Sequence, residues 1–246
     1  MNLGMKKTAL LTCLILLVSI SFAQQPNTVS SKTDLSYFIT HTREELVSKL
    51  VDMPFGINAN DPINVMLDKI KSYLDAYKPD PEYSDDNYAV EANMQALKSV
   101  MQGGYGIGAV LIDQDGDIVA SAHNSQMQKS RSDLHAEMTL LTDFEKSRKS
   151  KKYMKSYYVY KPGMIVFSSA EPCPMCFIRI ITTGCDIKYC TPGPEDGMVS
   201  RVDYLPEYWK DLAKERTVDL GDCSPVMQKL SHLLFYSYLL DNRGPQ

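Results

Sequence analysis

The chain has 246 residues, of which 44% are hydrophobic and 23% charged, a balance that excludes an intrinsically disordered protein and allows one sizeable core. Its formal net charge of −4 disfavours binding to polyanionic tRNA or duplex DNA, which normally depends on Lys and Arg neutralising phosphates. One domain with extensions is the simplest organisation for this length.

The first 23 residues have the pattern of a cleavable secretory signal peptide. Lys6 and Lys7 precede an apolar run from Ala9 to Ile20, and small residues before Gln24 suit cleavage there. A membrane anchor is the alternative, but about a dozen apolar residues fall short of the ~20 that span a bilayer. We therefore predict export to the periplasm or the medium, with no membrane attachment after cleavage. Removal of this segment would lower the formal net charge from −4 to −6.

Residues 24–90 are predicted to form a flexible lead and a helical extension. The stretch up to about Ser36 is polar, whereas residues 35–77 carry mainly helical patterns. Asp61 and Pro62 resemble an N-cap followed by a first-turn proline. Pro79 and Pro81 end this region, which we interpret as a helical layer added to a domain at residues 91–246.

Apolar runs alternate with helix-length segments in the rest of the chain. The predicted order is a helix at about 88–101, strands at 108–113 and 117–123 joined by a hairpin turn, a helix from about 135, a strand at 164–168, a helix at 174–182, strands at 187–190 and 217–220, and a closing helix at 225–240. This alternation indicates an α/β layered domain with a largely buried sheet.

Two short motifs carry the chemistry, namely His135-Ala136-Glu137 and Glu171-Pro172-Cys173-Pro174-Met175-Cys176. The first is common by chance, and the second, taken alone, could be a redox pair or a disulfide in an exported protein. Each motif stands at the predicted start of a helix. Together they match the H-x-E and P-C-x-x-C signature of zinc-dependent deaminases.

The spacing of these residues suits a catalytic zinc. Cys173 and Cys176 project from the same helical turn and can reach one tetrahedral metal, for which His135 supplies a third ligand. Three protein ligands leave the fourth position open to a water that zinc activates. Glu137 lies two residues after the histidine and is predicted to carry protons from this water to the departing amine. The alternative for Glu137 is a solvated acid that the helix dipole favours.

On these motifs, residues 106–240 resemble the cytidine and deoxycytidylate deaminase superfamily. His135-Ala136-Glu137-Met138 and the cysteine motif are most similar to the branch that holds bacterial guanine deaminases and tRNA adenosine deaminases. The resemblance implies a three-layer α/β/α domain with a mixed five-stranded sheet, a Zn²⁺ cofactor on His135, Cys173 and Cys176, and Glu137 as the proton shuttle.

The same resemblance implies substrate contacts. Gly108-Ala109-Val110 and Asn124 match the family pattern, in which an asparagine after the second strand hydrogen-bonds the base. Ala136 is the second residue expected to contact substrate. A turn residue is the alternative for Asn124. The segment between His135 and Cys173 is longer than the family pattern, and residues 191–216 replace a short connection.

Three hypotheses about function remain open at this point. A deaminase of a free nucleobase or nucleoside, with a purine such as guanine favoured, suits the acidic net charge. A nucleic-acid deaminase finds support only in an aromatic insertion at 191–216 and in a basic cluster. This basic cluster consists of Lys146, Arg148, Lys149, Lys151, Lys152 and Lys155. A non-catalytic zinc-stabilised binding module would not need Glu137. Homodimer formation and a disulfide among Cys185, Cys190 and Cys223 are left open.

Overall fold

A mixed five-stranded sheet with the strand order β2-β1-β5-β6-β7 forms the centre of the computed structural model, which describes residues 40–193 and 195–240. The strands are β1 Gly108–Ile112, β2 Ile118–His123, β3 Met154–Ser156, β4 Val159–Tyr160, β5 Ile165–Ala170, β6 Asp186–Thr191 and β7 Val218–Leu220. β1 pairs antiparallel with β2 and β5, whereas β6 runs parallel to β5 and β7. β3 and β4 form a separate small hairpin.

Helices cover both faces of this sheet. They are α1 Arg43–Val51, α2 Ile63–Ala76, α3 Asp86–Met101, α4 Gln126–Lys129, α5 Ala136–Lys146, α6 Pro174–Thr183, α7 Glu207–Lys214 and α8 Pro225–Phe235, with 3-10 turns at Arg148–Lys152, Val199–Tyr204 and Tyr236–Leu239. Within the described ranges, no helix combines the length and the apolar character that crossing a membrane requires. The predicted signal peptide and flexible lead lie outside the described residues, so export stays a prediction.

The core has two parts because side chains of successive strand residues point to opposite faces. In β1, Ala109 and Leu111 join a cluster with α5 and α6, whereas Val110 and Ile112 join a cluster with α3 and α8. The second cluster also takes in the buried faces of α1 and α2. This arrangement confirms the three-layer α/β/α fold with an added N-terminal helical segment.

The turn between β1 and β2, which the sequence predicted, is stabilised by hydrogen bonds between neighbouring residues. The Asp113 carboxylate accepts hydrogen bonds from the backbone N–H groups of Asp115 (3.0 Å) and Asp117 (3.1 Å). Gly116 has a φ of +85°, which a residue without Cβ adopts at no steric cost. The turn chemistry therefore lies entirely within five consecutive residues.

The expected cap of α2 was wrong by one residue. Pro62 is the N-cap, with extended backbone, and Ile63 begins the helix. Asp61 instead accepts from the Asn58 backbone at 2.8 Å and pairs with Lys69 at 2.7 Å. Its carboxylate therefore stabilises the preceding loop, and the region predicted as mainly helical contains two helices separated by this loop.

His232 on α8 gives a pH-dependent contribution to stability. The ring is 1% exposed, and its Nε2 lies 2.9 Å from Thr40 Oγ1. Lys49 donates to the same oxygen at 3.0 Å, so the hydroxyl proton of Thr40 is directed at a neutral imidazole. Burial lowers the pKa of His232 to about 3, with a further lowering by Lys49.

We expect the free energy of unfolding to fall as pH is lowered through this range. Because the folded pKa lies below the unfolded value of about 6.5, the unfolded state takes up the proton first. The contribution of His232 to the free energy of unfolding is complete above pH 6.5 and is lost progressively towards pH 3. At pH 5 the loss is about 2 kcal/mol, which urea unfolding at several pH values would measure. His232→Gln should flatten the difference between pH 7.5 and pH 5, and parallel profiles for the two proteins would contradict this assignment.

Candidate active site

Two helices begin at one edge of the sheet and bring the predicted metal ligands together. His135 is the N-cap of α5 and Cys173 the N-cap of α6, both with extended backbone. Cys173 lies three residues after the end of β5, and Pro174 occupies the first turn of α6, where its missing N–H costs nothing. The local order of strand, proline turn and helix therefore places Cys173 at a helix N-terminus, whereas a loop after α4 leads into His135.

The three side chains form a compact group of donors. One ligand atom from each of His135, Cys173 and Cys176 lies within 4.8 Å of the other two, and Cys173 Sγ lies 3.6 Å from His135 Nδ1. Cys176 is fully buried, whereas the other two are partly exposed. Two sulfurs and one imidazole nitrogen are a donor set that zinc prefers, and three ligands leave a position for a further oxygen donor.

The pKa values of the two thiols also support metal binding by this group. The hydrogen bond from Cys176 lowers the pKa of Cys173 to about 4, and His135 adds to this effect. The shared hydrogen bond and burial raise the pKa of Cys176. A dication stabilises both thiolates and reverses the second shift, so the donor chemistry fits a bound metal ion.

Glu137 places a carboxyl group in the same buried space. It is 3% exposed, and Ser168 on β5 donates a hydrogen bond to its Oε1 at 3.0 Å. Burial raises the pKa of Glu137, with a smaller contribution from the negative charge of Cys173. A carboxyl group with a raised pKa can both accept and release a proton near neutral pH. The alternative of a solvated acid does not fit this burial.

The two expected substrate contacts have different surroundings. Ala136 is fully buried at the start of α5. Asn124 is also buried, and its side chain interacts with Gln126, accepting from the backbone N–H at 3.1 Å and donating to Oε1 at 2.7 Å. These two contacts with Gln126 are typical of a turn residue. The amide nitrogen of Asn124 carries two N–H donors, however, and the contact with Gln126 Oε1 uses only one of them. A contact between Asn124 and a base therefore stays a prediction.

Sequence reasoning missed two residues at this edge, Ser168 and Asp196. Asp196 interacts electrostatically with His135 and Cys173. Its side chain is exposed, yet protein atoms crowd the carboxyl, and this desolvation together with the Cys173 thiolate raises its pKa. The parallel pairing of β5 and β6 could have indicated Asp196, because the residues that follow two neighbouring parallel strands lie at the same edge of the sheet.

The basic cluster lies away from this edge. α5 starts at the metal group and has 11 residues, so its far end, where the cluster begins, is about 16 Å distant. The hairpin of β3 and β4 continues the cluster and leads into the start of β5, whereas Cys173 follows the end of β5. All six basic residues are exposed. This position separates them from the metal group.

The remaining cysteines take no part in the metal group. Cys185, Cys190 and Cys223 are buried and free. Burial raises the pKa of Cys185 to about 12, whereas a hydrogen bond with Cys190 and burial raise that of Cys223. Cys185 and Cys223 are therefore neutral thiols, and all three cysteines are small residues of the core.

Part of this chain is similar in sequence to known proteins. Residues 83–191 match the family described as the cytidine and deoxycytidylate deaminase zinc-binding region. The tRNA-specific adenosine deaminase of Bacillus subtilis is 35% identical over 92 residues, which cover 37% of this chain and 52% of that protein. The cytosine deaminase of Candida albicans is 31% identical over 101 residues, covering 41% and 61%. The chain thus spans between half and two thirds of the length of these curated relatives.

A solved structure of guanine deaminase from Nitrosomonas europaea is 17% identical, with a TM-score of 0.45, and the match covers 68% of this chain and 90% of that one. The matched family region contains the metal-binding group that the structure assembles, and the cofactor of this region is zinc. Residues 83–191 of this chain are therefore similar to the zinc-binding region of the cytidine and deoxycytidylate deaminases, a similarity that the tRNA-specific adenosine deaminase of Bacillus subtilis shares.

Proposed function

We propose that this protein is a zinc-dependent hydrolytic deaminase of a free nucleobase or nucleoside, with a purine such as guanine favoured. The observation that carries the proposal is the buried carboxyl of Glu137 beside a three-donor metal group that includes two cysteines at a helix start. A structural zinc site needs neither the open position nor the acid.

His135, Cys173 and Cys176 would hold the zinc ion. When bound, zinc supplies a Lewis acid that can lower the pKa of a water molecule from 15.7 to about 7. Cys176 and Glu137 are almost completely buried, which keeps bulk water from competing at this point.

Glu137 would then carry the protons of the reaction. Its carboxylate takes a proton from water and delivers it to a ring nitrogen of the base while the hydroxide adds to the carbon that bears the amine. It then takes the proton of this new hydroxyl group and passes it to the departing amine. The C–N bond to the amine breaks, a C=O bond takes its place, and ammonia leaves. The hydrogen bond from Ser168 keeps the Glu137 carboxyl in one orientation during these transfers.

Two observations favour a small substrate over a nucleic acid. The net charge is −4, and the basic cluster lies at the far end of α5 from the metal group. The carboxyl group of Asp196 interacts electrostatically with Cys173 and His135. Guanine presents a ring N–H next to its amine, whereas adenine and cytosine present an acceptor nitrogen there, so Asp196 in its ionised form would favour guanine.

The substrate class is testable by ammonia release. We expect purified zinc-loaded protein to deaminate a free base or nucleoside, guanine foremost, at least about tenfold faster than tRNA or single-stranded DNA. Adenine, cytosine and the corresponding nucleosides complete the panel. A double variant, Lys151→Glu with Lys155→Glu, should leave turnover of the free base unchanged because both side chains lie outside the site.

The contrary result would be equally clear. A strong preference for RNA that weakens steeply with salt and disappears in the double variant would indicate a nucleic-acid deaminase, as the relative from Bacillus subtilis is named. In that case the exposed Tyr204 and Tyr208 of the insertion would become candidates for base stacking.

A further inference from the structure

Glu171, two residues before Cys173, accepts hydrogen bonds from two separate points of the connection that follows β6. Its Oε2 accepts from the backbone N–H of Gly193 at 2.9 Å, and its Oε1 accepts from the backbone N–H of Ser200 at 3.2 Å. The side chain is 7% exposed. We call the described part of this connection, residues 192–193 and 195–200, the β6 loop. One carboxylate therefore joins the start of the β6 loop to its end.

The β6 loop is also shaped around this carboxylate. A Cβ placed on Gly197 would lie 2.2 Å from Cδ of Glu171 and 2.4 and 2.6 Å from its two oxygens. No side chain fits there while Glu171 keeps its position. The Gly197 N–H donates to the Gly193 carbonyl at 2.8 Å, which closes the turn over the carboxylate.

Backbone contacts tie the same segment to the cysteine motif. The Glu171 N–H donates to the Thr191 carbonyl at 2.9 Å, and the Met198 N–H donates to the Pro172 carbonyl at 3.0 Å. The β6 loop therefore rests on the two residues that lead into Cys173. Between its fixed points it carries Asp196, which interacts electrostatically with Cys173 and His135.

We propose that Glu171 is a positioning residue that clamps the β6 loop onto the residues leading into Cys173, so that it controls substrate binding but neither zinc binding nor proton transfer. A carboxylate suits this task because both oxygens accept hydrogen bonds. A glutamine would turn its NH2 group towards one of the two N–H donors. This inference rests on the proposed function of the site for its kinetic part only.

Hydrogen–deuterium exchange of the zinc-loaded protein tests the clamp without any substrate. Glu171→Gln should accelerate exchange in peptides that cover residues 192–200, while zinc content stays at the wild-type level. Gly197→Ala should do the same without changing the carboxylate chemically, because its methyl group would overlap the Glu171 carboxylate and separate it from the loop. Ser200→Ala is the matched control, since only the backbone N–H of Ser200 contacts Glu171.

Kinetics separate positioning from catalysis. With the best substrate, both variants should raise KM by about 10- to 100-fold, the loss expected when hydrogen bonds to a charged acceptor are removed, and kcat should change by less than about threefold. The Glu171→Gln, Gly197→Ala double variant should be no worse than the more impaired single variant, because both disturb one loop.

Two results would overturn the proposal. Unchanged exchange in residues 192–200 of both variants would show that the carboxylate holds nothing, and loss of zinc in either would show a role in the metal group instead. If the wild-type protein deaminates no base or nucleoside, the proposed function and the KM expectation fail together, whereas the exchange measurement still decides whether the clamp exists.

Discussion

Glu137→Gln is expected to lower the rate of deamination by at least about 10²-fold, and by up to about 10⁴-fold, while zinc content stays at the wild-type level. The amide keeps the size of the side chain and can still accept the hydrogen bond from Ser168. It cannot take a proton from water or release one to the amine. Single-turnover ammonia release together with metal analysis would measure both quantities.

The stability of the same variant distinguishes a catalytic carboxyl from a structural one. Burial raises the pKa of Glu137, so its charged form is a cost to the fold. The free energy of unfolding should therefore stay constant or rise in Glu137→Gln. Asp143→Asn removes a carboxylate from the exposed side of the same helix and should leave turnover unchanged. Near-normal turnover by zinc-loaded Glu137→Gln would refute the proton-carrier assignment.

Cys176→Ser is expected to abolish stoichiometric zinc binding and, with it, all measurable deamination. Cys176 is fully buried in the metal group, and a serine hydroxyl replaces a thiolate, which zinc prefers, with a neutral oxygen. Because zinc binds the folded state, its loss also removes stabilisation by mass action, so Tm should fall. Metal analysis and thermal unfolding would measure the two effects.

Cys185→Ser is the matched control for this experiment. Cys185 is equally buried but lies outside the metal group, so the variant should keep one zinc per chain whatever the change in Tm. Treatment of the wild-type protein with a strong chelator should reproduce the Tm of Cys176→Ser. A Cys176→Ser protein that retains one zinc ion per chain would mean that the ligand set is different.

The sequence by itself determined the parts of this protein whose interactions are local. The strand order along the chain, the β1–β2 turn and the two helix starts each depend on a few consecutive residues, and the structure has all of them. The metal group was also predictable, because Cys173 and Cys176 are three residues apart on one helix and only His135 had to come from elsewhere.

The error at the start of α2 came from a side chain with two available partners. Asp61 precedes a proline and a helix, as an N-cap would, but Lys69 lies close enough to pair with it.

The β3–β4 hairpin and helix α7, which were not predicted, lie in insertions. Their short apolar patterns became stable elements because α5, α6 and the sheet offered a surface on which to pack.

Only the tertiary structure decided which distant residues meet the metal group. The pairing of β1, β5 and β6 brings Ser168 to Glu137 and brings Asp196 into electrostatic interaction with His135 and Cys173. Glu171 is tied to Ser200 across 29 positions of the chain. Such contacts depend on strand register and on the path of the β6 loop, which no local pattern specifies. The sequence thus determined the reacting groups, whereas the fold decided what surrounds the substrate, because hydrogen bonds between remote segments form only once the sheet has brought them together.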